Sequence, residues 1–221
     1  YMTVSNTFQM ACDTDEESIF NIALGAGGED GSAITDQHRI CIDNIVLEKT
    51  SAPEIDVPVG KNLITNSEFE MSEDGSLAGW ENAVTAPGDA TFEAGDGKIT
   101  YSVENVGEAD WNIQLKQMGL SLEQGESYTL KCTLVSDVDR VVKVAVMTPS
   151  AGYAWHGGED VVLTAGEAKD VTLTITPKEE VFTDGITVDT GAGLFFSMGY
   201  VEGYTLGAHT VSISNVSFVK N

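Results

Sequence analysis

Apolar and polar side chains alternate in short runs over most of the chain, and clusters of Gly, Asp, Asn and Pro separate the runs. The clearest are KITYSVE (98–104), WNIQLKQM (111–118), SYTLKCTLV (127–135), RVVKVAVMT (140–148), DVTLTIT (170–176), LFFSMGY (194–200) and HTVSISNVSFV (209–219). Each is rich in β-branched or aromatic residues and has a period near two, the pattern of a strand with one buried face. EQGES, SDVD and TPSAG, which lie between them, are turn formers. No run carries a 3.6-residue apolar period over the length of a helix. Short strands at regular spacing predict an all-β fold, a two-sheet antiparallel β-sandwich or jelly roll.

The chain also repeats itself. The C-terminal LGAHTVSISNVSFVKN resembles the earlier TDQHRICIDNIVLEKT, with His209 answering to His38 and Asn215 to Asn44 at one constant offset. LFFSMG and FNIALG extend the match towards the N-terminus, and the intervening loop is three residues longer in the first copy. Residues 1–50 therefore read as the C-terminal strands of a module like the one that ends at 221. The next stretch, 51–60, holds two prolines among small and acidic residues and reads as a linker. Residues 61–221 form a complete unit. Half a sandwich leaves sheet faces and edges uncovered, so the first segment is expected to be completed by other residues.

Composition narrows the partners more than the fold. Eleven Lys and Arg stand against 35 Asp and Glu, a formal net charge of -24. Such a surface repels polyanions, so no nucleic acid and no anionic membrane is expected as a partner, while neutral ligands and divalent cations remain. No apolar run reaches the roughly 18 residues a spanning helix needs. The chain opens directly in strand-like YMTVS, which we read as an internal piece of a longer protein. Cys12, Cys41 and Cys132 form no CxxC pair and read as small apolar residues, with a Cys12–Cys41 bond left open.

Strand alternation over 111–118 sets Asn112, Gln114 and Lys116 on one face and Ile113 and Leu115 on the other. Trp111 falls with the aliphatics if the strand is already regular there, and escapes them if it sits on an irregular start or a bulge. MTPSAGYAWHGGED (147–160) reads as an irregular loop that nonetheless carries Tyr153, Trp155 and His156. Trp80 reads as core. His38 and His209 precede the last strand of both copies, which favours a structural role over catalysis or metal binding.

NLITNSEFEMSEDGSLAGW, then DWNIQLKQMGLSLEQGESYTLKCTLVSD, LFFSMGY and HTVSISNVSF, resemble in order and spacing the carbohydrate-binding modules of families 4, 9 and 22. The resemblance runs from Lys61 to the C-terminus, and its tail pattern recurs in CIDNIVLEK. It implies a β-jelly roll that does no chemistry itself and binds a β-linked plant or fungal polysaccharide, xylan or β-glucan, in a cleft on a concave sheet. It further implies an accessory module of a secreted glycoside hydrolase, outside a bacterial cell or at its surface, with a catalytic domain or further similar modules in the parent protein. Glycan recognition needs aromatic platforms and side-chain amides. On that basis Trp111 is the expected platform, with Tyr153, and next Trp155, across from it. Asn112, Gln114 and Gln117 would bond hydroxyls, and Ser197 would be a further polar contact, with Arg140 and Tyr101 weaker candidates.

The resemblance also implies a structural calcium ion held by the FE segment and the strand that reads CIDN in the first copy. Glu70 is present, whereas Ser214 stands where the first copy has Asp43. Hard cations want carboxylate oxygen, and Glu68 or Asp96 could compensate. No GxSxG elbow, HExxH helix or phosphate loop is present, and abundant acids alone do not make a glycosidase pair. The alternative to glycan binding is a structural repeat of a cell-surface or filament protein that has lost its sugar site.

Overall fold

The computed structural model of the chain describes residues 57–73, 75–183 and 185–221, together with Ile42 and Ile45. The chain divides into two compact units, Tyr1–Glu54 and Ile55–Asn221, and the architecture below is that of the second. The incomplete module expected over 1–50, His38 and the Cys12–Cys41 pair lie outside the described residues. The end of the expected linker belongs to the second unit, where the Val57 N–H donates to Glu123 Oε1 at 2.9 Å and Val59 bridges to Lys220.

Ten strands form two antiparallel five-stranded sheets: β1 (Glu81–Val84), β2 (Asp89–Gly95), β3 (Lys98–Asn105), β4 (Ile113–Glu123), β5 (Tyr128–Ser136), β6 (Arg140–Thr148), β7 (Ala154–Leu163), β8 (Lys169–Ile175), β9 (Val188–Ser197) and β10 (His209–Lys220). The front sheet runs β1-β4-β9-β6-β7 and the back sheet β2-β3-β10-β5-β8. This is the β-sandwich that the alternation predicts. Sequence pattern missed β1 and β2, which are short or flanked by Gly and Asp. It also missed β7, whose AWHGGED start reads as loop although the residues pair with β6 on both sides of a bulge.

Alternation builds the core. Ile99, Tyr101, Ile113, Leu115, Leu130, Leu134, Val144, Leu194, Phe196, Val211, Ile213 and Phe218 are all fully buried between the sheets. Each such side chain removed from water contributes on the order of 1.5–3 kcal/mol. Trp80 is core as expected: its ring lies 5.2 Å from Phe69 and 6.3 Å from Phe196, and Nε1–H donates to Asn66 O at 3.0 Å. Tyr101, weighed above as a contact residue, is instead core, with its hydroxyl donating to Asn82 Oδ1 at 2.8 Å. Cys132 is a buried free thiol, pushed up to about 12 by loss of solvent and by nearby Asp170.

Candidate functional site: the outer face of the front sheet

Trp111 lies outside β4. A single 3-10 turn, Asp110–Asn112, precedes the strand, so parity does not govern the indole, which stands 53% exposed. Asn112 makes the turn. Its Oδ1 accepts the N–H groups of Glu108 (2.9 Å) and Ala109 (2.8 Å), and its Nδ2 donates to Thr85 O at 3.0 Å. Gly107 approaches so closely that a Cβ there would lie 2.6 Å from the Asn112 side chain. On the other flank the Gly199 N–H donates to Asp110 O and the Tyr200 N–H to Ala109 O, and a Cβ at Gly199 would sit 2.2 Å from Ala109 O. The backbone of the turn is thus tied on both sides and the Trp111 ring is left outward.

The opposite end of the face is built from the β6–β7 hairpin. Pro149–Ala151 form a 3-10 turn, Gly152 follows in the left-handed region, and Tyr153 sits there too at φ +61. Tyr153 is 61% exposed. β7 then carries a bulge: Val146 pairs with Gly157 but Met147 with Trp155, so His156 is the extra residue. The bulge reverses parity, turning Trp155 outward at 40% exposure and His156 inward, where it is buried. A Cβ at Gly158 would lie 2.6 Å from Trp155 Cζ2 and 2.5 Å from Val144 O, so glycine is what lets the indole lie on the sheet.

Between these rims cross-strand register lines up Gln114, Ser197, Lys143 and Asp160, and below them Lys116, Phe195, Ala145 and Gly158. Gln114 Nε2 donates to Ser197 Oγ at 2.9 Å. Lys116 pairs with Glu81 at 2.9 Å. Phe195 and Ala145 face outward by register yet are buried, and Gly193 has Met118 Sδ and the Phe195 ring over it. A cavity of about 280 Å³ opens at the Trp111 end, lined by Asp110, Lys143, Asp160, Tyr200 and Glu202 with Val141. Lys143 bonds the Asp110 carboxylate, which holds its ammonium above the usual lysine range against partial desolvation, with Asp160 adding to the effect.

Two of the expected contact residues are corrected. Asn112 is 2% exposed and its amide is committed to the turn described above. Gln117, 3% exposed, exchanges two bonds with the backbone of Thr65: its Oε1 accepts the N–H at 2.7 Å and its Nε2 donates to the carbonyl at 2.8 Å. Regular alternation along β4 puts Gln117 on the inner face with Ile113 and Leu115, ahead of the bulge between Met118 and Leu120. Ser197 is buried beneath Gln114, so its hydroxyl acts through that amide. Arg140 is corrected as well. Its guanidinium is buried, donating to Met198 O and Gly199 O and meeting His209 Nε2, and loss of solvent lowers it to about 10. His209 donates from Nδ1 to Gly207 O at 2.7 Å, and burial holds its imidazole below the ordinary histidine range, so its role is structural.

Sequence reasoning did not single out Phe195, Met118, Lys143, Asp110 or Tyr200. The available signal was small: glycines at 158 and 193 inside strands, where only a closely approaching group explains them.

Glu68, Glu70 and Asp96 line one surface depression with Met71, Gly95 and Gly97, and Ser214 pairs in register with Lys98 beside it. Among the described residues no three acidic, histidine or cysteine side chains converge to hold a metal ion. The donors are of the right chemistry for calcium, but as placed they do not form its coordination shell, and no part of the function below is routed through a metal.

The carbohydrate-binding domain profile matches residues 61–190. The chain belongs to that family of carbohydrate-binding domains, of the family 4 and 9 type. No curated protein sequence matches it. Among solved structures, this carbohydrate-binding domain is similar to one described as "CBM4 structure and function", at 19% identity and a TM-score of 0.56, covering 72% of this chain and 99% of that one. It is also similar to the two N-terminal cellulose-binding domains of β-1,4-glucanase C from Cellulomonas fimi. The first is 20% identical with a TM-score of 0.51, covering 73% and 98% of the two chains. The second is 23% identical with a TM-score of 0.51, covering 72% and 94%. At these identities the likeness establishes the fold. The carbohydrate-binding domain is a binding unit without catalysis of its own, and among the described residues no helix is long and apolar enough to cross a membrane.

Proposed function

We propose that the front sheet holds a neutral β-linked polysaccharide chain, xylan or β-glucan, between Trp111 at one rim and Tyr153 and Trp155 at the other. The observation that carries this reading is the exposure of three aromatic rings at the two ends of one face whose floor is amide, methylene and glycine. Large rings left in water lose solvation free energy unless a ligand covers them, and flat apolar rings match the C–H faces of pyranose sugars. β4 and β7 are three strand spacings apart, about 14 Å, and Trp155 is level in register with Met118, well along the strands from Trp111, so a chain running obliquely across the sheet meets both rims. Gln114 and Lys143 lie on its path to exchange bonds with hydroxyls. Asp110, Asp160 and Glu202 beside the Trp111 rim, on a chain of net charge -24, select against acidic glycans.

A single contact set of this size supports micromolar to millimolar affinity, roughly -8 to -4 kcal/mol, and further modules in the parent protein would raise it through effective concentration. The domain then serves a secreted bacterial glycoside hydrolase by keeping it at its substrate, outside the cell or at its surface. Affinity electrophoresis against xylan, barley β-glucan, laminarin and hydroxyethyl cellulose tests this: retardation on at least one, abolished in Trp111→Ala, is expected. Wild-type mobility unchanged in all four would contradict glycan binding and leave the domain a structural repeat.

A further inference from the structure

The hairpin that carries Tyr153 and Trp155 is fastened from behind by three buried side chains. His156 Nδ1 accepts the Lys178 N–H at 3.0 Å, which places the ring proton on Nε2. Nε2–H then donates to Thr148 Oγ1 at 2.8 Å, and the Thr148 hydroxyl in turn donates to Asp189 Oδ2. The chain ends where Asp189 Oδ1 accepts the Gly191 N–H at 2.8 Å. Only one arrangement of protons satisfies these contacts, because a backbone N–H can only donate and a carboxylate can only accept. Thr148 is the last residue of β6 and His156 the bulge of β7, so their bond closes the base of the turn that holds Tyr153 in the left-handed region. A non-glycine residue stays there only where its surroundings enforce it.

We propose that Thr148, His156 and Asp189 form a clamp that positions the Tyr153–Trp155 rim for the glycan, and that the clamp holds only while His156 is neutral. The inference rests on the reading of the front sheet as the glycan site. A second ring proton would go on Nδ1, directly against the Lys178 N–H, so charging His156 breaks that contact and loosens the ring that sets the bulge. The groups facing the ring compete. Burial, the largest influence, and the Lys178 ammonium disfavour the charged form, while Asp189 and Glu180 favour it, and the imidazole stays below its ordinary range. The clamp is therefore intact at neutral pH and released as pH falls through the folded value, and glycan affinity falls with it.

The test is calorimetric titration of the full chain with the neutral glycan it retains best, between about pH 5 and pH 8, alongside NMR titration of the His156 ring and a melting curve at each pH. Expected are wild-type affinity falling in step with His156 protonation, Thr148→Val weakening binding at least about tenfold at neutral pH with a flattened pH profile, and Thr148→Ser restoring it to within about twofold. Wild-type affinity and pH profile retained in a folded Thr148→Val would overturn the clamp, as would a His156 ring that stays neutral while affinity is lost. Should Thr148→Val not fold, Asp189→Asn is read by the same criteria. Failure of the wild type to bind any glycan contradicts the front-sheet reading itself, whereas normal binding with an indifferent Thr148→Val contradicts the clamp alone.

Discussion

The back sheet turns Thr100, Ser102, Thr133, Thr172, Ser212 and Ser214 to solvent, and the front sheet turns Phe195, Met118 and Gln114 outward between the rings of Trp111, Tyr153 and Trp155. Both faces belong to strands whose inner residues are mostly apolar and buried. On the back, polar groups satisfy one another across strands: Thr100 and Ser212 hydroxyls lie 2.9 Å apart, and Thr133 Oγ1 donates to Asp170 at 2.7 Å. On the front, glycines at 158 and 193 give rings and a thioether room to lie flat, and a 3-10 turn and a bulge break the alternation so that tryptophans stand outward. The exposed rings of the proposed binding face are thus set by departures from regular strand geometry, while the back sheet presents hydroxyls that bond one another.

Breaking the front face should have the largest effect. Trp111→Ala and Trp155→Ala are each expected to weaken glycan association at least about thirtyfold, or 2 kcal/mol, with melting temperatures near wild type, measured by calorimetry and thermal unfolding. Gly158→Val places a Cβ against Val144 O and the Trp155 ring, so denaturant unfolding should show a loss of about 1–3 kcal/mol together with weakened binding. Asn112→Ala strands two N–H donors of the Trp111 turn, for an expected stability loss of about 2 kcal/mol and a smaller loss of affinity.

Acidification gives a subtler change. His156 and His209 both sit below their ordinary range because they are buried. A depressed folded value means that the neutral forms contribute stability fully present above the ordinary histidine range and lost as pH falls through the folded value. Melting temperature should therefore decline below about pH 6, and His209→Gln should reduce the slope. The smallest effect belongs to the back: Thr100→Ala with Ser212→Ala should leave glycan affinity unchanged and stability within about 0.5 kcal/mol.

The sandwich was legible because seven strands alternate cleanly, and Ile113, Leu115 and Trp80 fall where pattern puts them. His209, which the repeat suggests is structural, is buried with its Nε2 against the Arg140 guanidinium. Legibility fails mainly where geometry departs from period two. Asn112 and Gln117 look like contact amides but satisfy backbone groups, Asn112 because a turn rotates it inward and Gln117 because strand parity already places it with Ile113 and Leu115. Trp155 was found as an exposed ring but placed in a loop, since the Gly-Gly after His156 mimics loop composition while serving to seat that ring within a strand. Phe195 carries no polar mark and gains its place on the face from register with Lys116 and Ala145, which sequence does not specify.

The central claim is that one glycan chain lies on the front sheet between Trp111 and Trp155. Titration calorimetry of wild type and of a folded Trp111→Ala, Trp155→Ala double variant with a neutral xylo- or gluco-oligosaccharide tests it most directly. The account expects saturable binding by the wild type and none by the double variant, whereas equal affinity in the two proteins would contradict it.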